Sequence, residues 1–240
     1  MRRASGAFLA AVAALAWGHA TAGMFSVRPV RFYMTARERA VAVTIVNDGD
    51  SEVVLQADLN SWSQTPDGTD QLAPTEDLIL APPIIKIAPK ARQVVRLALL
   101  TPPDLSRQLT YRVVIREVPE ATPQPPTEGL RTPIALALSL PVFITPPGAK
   151  RQVDCTPVRI DANTPALNCK NNGNAYAQLR EAQLSRDDRP VARFEGGTYI
   201  LPGATKVIAL KPDAAVPAGQ ARLSLTFDDR QSSSTSVAVP

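Results

Sequence analysis

Short runs in which large apolar residues alternate with small or polar ones, each closed by a cluster of turn residues, recur along nearly the whole chain. Val41, Val43 and Ile45 alternate with Ala42 and Thr44, and Asn47-Asp48-Gly49-Asp50 follows. Val53, Leu55, Ala57 and Leu59 alternate with Val54, Gln56, Asp58 and Asn60, and Thr65 to Gly68 turns the chain again. A period of two sends successive side chains to opposite faces of a strand. Asn, Asp and Gly accept the backbone angles of tight turns. With 23 prolines and 12 glycines, no long helical pattern runs uninterrupted. The chain reads as all-β.

Further strands are expected at Phe25 to Tyr33, around Val95, Leu97 and Leu99, at Tyr111 to Val118, and at Ile134 to Ile144, the longest apolar stretch after the leader. Leu78 to Ile87 is broken by Pro82 and Pro83, which suits an edge or a strand switching sheets. About seven strands in ~125 residues is the expectation for an immunoglobulin-like sandwich. Pro146-Pro147-Gly148 then breaks the pattern and reads as a boundary. Beyond it the theme repeats more weakly, at Val158 to Ile160, Leu167 to Lys170, Ala175 to Leu179, Arg193 to Phe194, Thr198 to Leu201, Lys206 to Leu210 and Leu223 to Phe227. Asn171-Asn172-Gly173 is a strong turn signal. The expected organisation is a leader at 1–22, a first domain at 23–147 and a smaller second sandwich at 148–240.

The leader is read from Arg2 and Arg3, the apolar run Ala7 to Trp17, and the small-x-small site Ala20-Thr21-Ala22. The run is too short to span a bilayer. Removing 22 residues from 240 leaves 218, and losing two arginines lowers the formal charge from +4 to +2. No basic run remains, so nucleic acid is not an expected partner, and no integral membrane segment is expected.

The only histidine, His19, lies in the leader, so the exported chain has none for a metal site or a Ser-His-Asp triad. The two cysteines, Cys155 and Cys169, read as a disulfide in an oxidising compartment. It would join neighbouring strands of the second domain and contribute ~3 kcal/mol by the chain-entropy argument. No phosphate-binding glycine loop is present, and no cofactor or metal is expected. Asp187-Asp188 and Asp228-Asp229 are adjacent carboxylates, read as solvated turns.

One run bears on function. Ile134, Leu136, Leu138 and Leu140 fall at spacing two, with Ala135, Ala137 and Ser139 on the other face. Read alone, the large residues face the domain's own core. Read as a sheet edge, the strand is an aggregation hazard unless a partner uses it, and adding a strand to another protein's sheet is an established recognition mode.

At this point the chain resembles a known family, the periplasmic chaperones of chaperone–usher pili. The likeness is carried by Ala91-Arg92-Gln93-Val94-Val95-Arg96-Leu97, Ile115-Arg116-Glu117-Val118-Pro119, Leu140-Pro141-Val142-Phe143-Ile144 and Asn172-Gly173-Asn174-Ala175. It is better in the first domain than in the second. The resemblance implies two immunoglobulin-like domains in an L shape. It implies a periplasmic, non-enzymatic protein that binds pilin subunits by donor-strand complementation and passes them to an outer-membrane usher. The donor strand would be Ile134, Leu136, Leu138 and Leu140.

Arg31 matches the family's cleft arginine, which grips the subunit's terminal carboxylate, as a planar guanidinium can through two hydrogen bonds. Well-known members pair it with a donor-strand lysine. Here Pro141 stands in that place, leaving either a weaker anchor or another cation such as Arg112. The Leu-Pro-Val-Phe form is closer to the archaic branch. The segment Pro119 to Pro133, rich in Pro and Thr, is expected near the subunit or the usher. Self-association of the free chain through its donor strand is left open.

Two other functions compete. A secreted structural or adhesive protein built from the same sandwiches would keep Ile134 to Leu140 in its own core. A secreted hydrolase would have to work without histidine, through a carboxylate pair.

Overall fold

The computed structural model describes residues 25–65, 67–102, 104, 106–118, 135–213 and 216–240. The expected leader, Ile134 and the segment 119–133 lie outside them. The described residues form an all-β protein of two sandwiches.

The first sandwich holds ten strands among these residues. They are β1 (Phe25–Arg28), β2 (Phe32–Met34), β3 (Ala40–Asn47), β4 (Val53–Gln64), β5 (Asp70–Pro74), β6 (Leu78–Ala81), β7 (Ile84–Ile87), β8 (Arg92–Leu99), β9 (Leu109–Glu117) and β10 (Ala137–Ile144). One sheet runs β1-β3-β8-β6 and the other β2-β10-β9-β4-β5, with β7 also paired to β4.

The sequence-based count of about seven is therefore corrected, for two physical reasons. Phe25 to Tyr33 is two strands in opposite sheets, separated at Pro29 and Val30. β5 is exposed along its whole length, so it has no apolar alternation to betray it. The run from Leu78 to Ile87 changes sheets across Pro82 and Pro83, as its prolines suggest.

The alternation buries Val43 and Ile45 on β3, Val95, Leu97 and Leu99 on β8, and Tyr111, Val113 and Ile115 on β9 in one core. Fully burying an aliphatic side chain contributes about 1.5–3 kcal/mol.

The second sandwich pairs β11 (Val153–Arg159), β12 (Pro165–Asn171) and β15 (Thr205–Ala209) in one sheet. The other runs β16-β14-β13-β17-β18, from β13 (Ala177–Arg186), β14 (Arg189–Ile200), β16 (Lys211–Pro212), β17 (Gly219–Phe227) and β18 (Ser232–Val239). Arg193 to Phe194 and Thr198 to Leu201, read as separate strands, fall on the single strand β14, which ends at Ile200, one residue short of the expected end. Between the pairs Leu179↔Thr198 and Glu181↔Glu195, Gly196-Gly197 faces the single residue Arg180 as a bulge. Asp187 and Asp188 form the β13–β14 turn, both at positive φ.

Cys155 lies directly opposite Cys169 across β11 and β12, and the two form a disulfide with Cα atoms 4.0 Å apart. Each domain also contains a buried asparagine at a sharp turn. Asn47 Nδ2 donates to the carbonyls of Ser51, Ile87 and Ala88, and its Oδ1 accepts from Gly49 N. Asn171 repeats the device, with donation to Ala175 and Ile200 and acceptance from Gly173 N.

Replacing both Cys155 and Cys169 by alanine is expected to destabilise the second domain by ~3 kcal/mol, the chain-entropy contribution of a loop of this length. Denaturant unfolding followed in parallel for the two proteins measures it, and an unchanged midpoint contradicts the assignment.

Candidate functional site

β10 is buried unevenly, and that shapes the site. From Leu140 to Ile144 every residue is buried. Leu140, Val142 and Ile144 enter the first core, while Phe143 points the other way into the second domain's cluster. Both faces of this segment are covered, which is why it reads as a continuous apolar run. From Ala137 to Ser139 the strand leaves that cover, and its residues alternate between exposed and half-buried.

Pairing along β10 is uneven too. β9 lines one edge from Ala137 to Ile144, but β2 covers the other edge only from Val142 to Ile144. Leu136 O accepts from Glu117 N at 2.9 Å, and Thr145 N donates to Met34 O at 2.8 Å. Antiparallel pairing alternates direction by residue. Even-numbered residues of β10 therefore bond to β9, and odd-numbered ones face the opposite edge. Along Ala137 to Pro141 that edge has no strand partner among the described residues. Its outward groups are the N–H and C=O of Ala137 and Ser139 and the C=O of Pro141. A proline is tolerated here because its missing N–H removes nothing from the β9 ladder.

The lower end of the edge meets the second domain. Phe143 stacks on Tyr176 with ring centroids 3.9 Å apart, and Tyr33, Trp62 and Tyr199 lie within 6.2 Å of it. Polar contacts bracket these rings. Gln108 Oε1 accepts from Tyr176 N at 2.9 Å, and Gln64 Oε1 accepts from Leu201 N at 2.9 Å. Gly68, at φ +83°, lets the β4–β5 turn approach β15 so closely that a Cβ would sit 2.8 Å from Thr205 O.

Two arginines occupy this cleft in different states. Arg31 donates from Nη1 to Asp228 Oδ2 at 2.6 Å and from Nη2 to Gln178 Oε1. The same Asp228 oxygen accepts from Tyr176 Oη at 3.0 Å, and Tyr176 Oη lies 2.8 Å from Tyr33 Oη. Burial alone disfavours the Arg31 charge, but Tyr33, Tyr199 and Asp228 outweigh it and hold the cation above its ordinary value.

Arg112 lies on β9 directly opposite Pro141. Its guanidinium lies 3.8 Å over the Trp62 ring and 5.5 Å from the Tyr199 ring, and Nη1 reaches Ser139 O at 3.3 Å. It has no carboxylate in ion-pair range among the described residues, whereas Arg116, also on β9, is paired to Asp58. Burial is the largest influence on Arg112 and lowers its pKa, against weaker support from Tyr199 and Asp70. Arg31 lies 5.8 Å from the Tyr199 ring, so both arginines flank one tyrosine.

The expected donor-strand residues divide accordingly. Leu140 is 8% exposed and part of the domain's own core, and Leu136 and Leu138 are half-buried against it. Asp228-Asp229 does form a turn, but the solvated reading is corrected for Asp228. Its carboxylate turns inward to Arg31, because an arginine from the other domain faces it there. Asp229 pairs with Arg151 instead. Residues that the alternation did not single out are Trp62, Tyr33, Tyr176, Gln178 and Tyr199. The available signal was composition: with only 5% aromatic residues, three of the four tyrosines gather here. Among the described residues no group of three His, Cys, Asp or Glu side chains could hold a metal ion.

Known proteins share this architecture. A family model described as "Pili and flagellar-assembly chaperone, PapD N-terminal domain" matches residues 24–150. No curated protein matches the chain in sequence. Among solved structures, a chain of the CsuC–CsuE chaperone–tip adhesion subunit pre-assembly complex from the archaic chaperone-usher Csu pili of Acinetobacter baumannii is 18% identical. It aligns with a TM-score of 0.65 over 89% of this chain and 98% of that one. The E. coli chaperone DraB is 16% identical, with a TM-score of 0.60 over 91% and 97%. A chain of the Salmonella enterica SafA pilin–SafB chaperone complex is 15% identical, with a TM-score of 0.59 over 90% and 95%.

The site carries a pH signature. Burial is the main cause raising the pKa of Tyr111, Tyr176 and Tyr199, joined by a hydrogen bond to Asp77 for Tyr111 and to Tyr33 for Tyr176; Arg31 and Arg112 oppose it at Tyr199. A raised folded pKa means that stability is full below the unfolded value and is lost as pH climbs past it, about 10 for tyrosine. Phenolate absorbance of the native protein is expected to lag that of the unfolded chain, with stability falling above pH ~10. Coincident titration curves contradict this.

Proposed function

The chain belongs to the pili and flagellar-assembly chaperone family, and on that premise we propose that it binds pilin subunits by donor-strand complementation and delivers them to an outer-membrane usher. Chaperones of this family are periplasmic and are not enzymes. For this chain, export through the leader at 1–22 and a domain boundary near residues 147 and 148 belong to the same proposal.

The observation that carries the reading is the unpartnered edge of β10 from Ala137 to Pro141. A sheet that lacks one strand can pair with it through the outward N–H and C=O groups of Ala137 and Ser139. Such pairing supplies affinity through the main chain and selectivity through alternate side chains. Leu136 and Leu138, already half-buried, would lose their remaining exposure beneath the partner, at about 25 cal/mol per Å² of apolar surface covered. The arginine cleft, with Arg31 and Arg112 at the base of the edge, suits an anionic group on the same partner. Support also comes from solved complexes of the same fold, in which a chaperone stands with a tip adhesion subunit and with a pilin.

The test is co-expression with candidate pilin subunits from the same genome, purifying through a tag on the chain. Ser139→Pro removes one outward N–H and leaves the β9 ladder intact. It is expected to abolish a stoichiometric complex while the thermal unfolding of the free protein stays near wild type. Leu136→Asp is expected to weaken the complex by placing a charge under the partner strand. If Ser139→Pro still captures the subunit in full yield, or if wild type captures none, the strand-addition reading fails and a self-contained structural or adhesive protein takes its place.

A further inference from the structure

We propose that the outer face of the sheet β1-β3-β8-β6 docks the protein onto an anionic lipid bilayer through Arg28, Arg92 and Arg96. This surface is independent of the strand-addition reading, since β10 and its cleft belong to the other sheet of the sandwich.

Alternation gathers the three arginines on one face. Val27, Val43, Ile45, Val95 and Leu97 turn into the core, so the residues beside them in sequence turn outwards. Arg28 lies opposite Thr44 on β3, and Thr44 lies opposite Val94 on β8. Arg92 and Arg96 stand two residues to either side of Val94. Neighbouring strands are about 4.8 Å apart and alternate residues of one strand about 7 Å apart, so the three arginines ring Val94 at about 7–10 Å. Val94 is 58% exposed, and Ile79, on the edge strand β6, is 44% exposed.

The charge on this face is uncompensated. Among the described residues none of the three arginines makes an ion pair, whereas Lys86, Lys90 and Arg116 of the same domain pair with Glu52, Asp50 and Asp58. The four strands contain no Asp or Glu. Carboxylates stand only at the ends of the sheet. Asp48 accepts from Ser26 Oγ at 3.1 Å at one end, beside the Lys90–Asp50 pair. Glu76 and Asp77 precede β6 at the other, where Asp77 accepts from Tyr111 Oη at 3.0 Å.

The shape of the face favours a bilayer over a folded partner. The outward neighbours Ala42, Thr44 and Ala98 are short and form neither knob nor groove, while a strong protein contact needs an anchor packed in a pocket. Lipid phosphates move laterally, so each guanidinium can grip one independently, through two hydrogen bonds. Val94 and Ile79 add apolar surface at the headgroup boundary. The outer faces of the two sheets point in opposite directions, so a chain docked this way keeps Arg112 and the β10 cleft turned away from the lipid.

Co-sedimentation of the full exported chain with vesicles tests this. One set holds equal parts phosphatidylethanolamine and phosphatidylglycerol, and the other only phosphatidylcholine. Wild type is expected to bind the anionic set and to release in 1 M salt, where screening shortens to about 3 Å. A cation beside an anionic surface adds roughly fivefold to binding, so replacing Arg28, Arg92 and Arg96 together by Gln should lose about a hundredfold. Each single replacement should lose roughly fivefold, and these carry the test if the triple variant unfolds. A control with Arg180, Arg189 and Lys211 of the second domain changed to Gln removes the same charge elsewhere and should bind as wild type does. The proposal is overturned if wild type binds both vesicle sets alike, or if the control loses as much as the face variant. Capture of soluble polyglutamate through the three arginines, with no vesicle binding, assigns the face to an acidic polypeptide and equally overturns it.

Discussion

Strand β10 has to satisfy two cores with one alternation. Leu140, Val142 and Ile144 belong to the first sandwich, and Phe143 between them belongs to the cluster of the second. A one-residue slip of β10 against β9 would exchange these faces, sending the aromatic ring into the first core and the aliphatic set into the joint. The register is therefore held from both sides. That fixes where the strand runs out of cover, and so fixes which residues present an unpaired edge. β2 reinforces the arrangement by pairing with Val142 to Ile144 and no further.

The joint that this strand anchors is mixed in character. Rings supply contact area: Phe143 on Tyr176, Trp62 against Tyr199 with centroids 5.1 Å apart. Buried phenols and indoles need polar partners, and Tyr176 finds its own in Asp228 and Tyr33, while Tyr199 meets the two arginines through its ring. The indole Nε1 of Trp62 has none among the described residues, so its value lies in its face, on which Arg112 rests. The cleft thus holds two cations around one tyrosine and, among the described residues, a single carboxylate, Asp228, in ion-pair contact with either. Its electrostatics lean towards an anion before any partner arrives.

How much of this was legible differs by scale. The period-two pattern announces the core strands because those strands are wet on one face and dry on the other. β3, β8 and β9 are examples. β5 and β18 escape the pattern because they are mostly exposed and make their hydrogen bonds through the backbone, which has no sequence signature. The run at Ile134 to Ile144 was visible, but the point at which it passes from one-sided to two-sided burial was not. That depends on a second domain whose distance along the chain is large. The joint was hidden for the same reason. Arg31 and Asp228 are 197 residues apart, and nothing local marks them as a pair. Pro141 was legible as a departure, and only the register with Arg112 gives it a physical meaning.

The disulfide is placed asymmetrically. It braces β11 and β12, in the sheet of the second sandwich that does not carry Gln178 or Asp228. The first sandwich, with the free edge, contains no cysteine at all. Oxidation therefore acts on the two halves of the cleft unequally. The strand edge and Arg112 stand on a domain indifferent to redox conditions, while Tyr176, Tyr199 and Asp228 stand on one whose stability follows them. A reducing environment would loosen the wall of the cleft before it touched the edge, so the compartment's redox poise acts as a dial on how well the corner is closed.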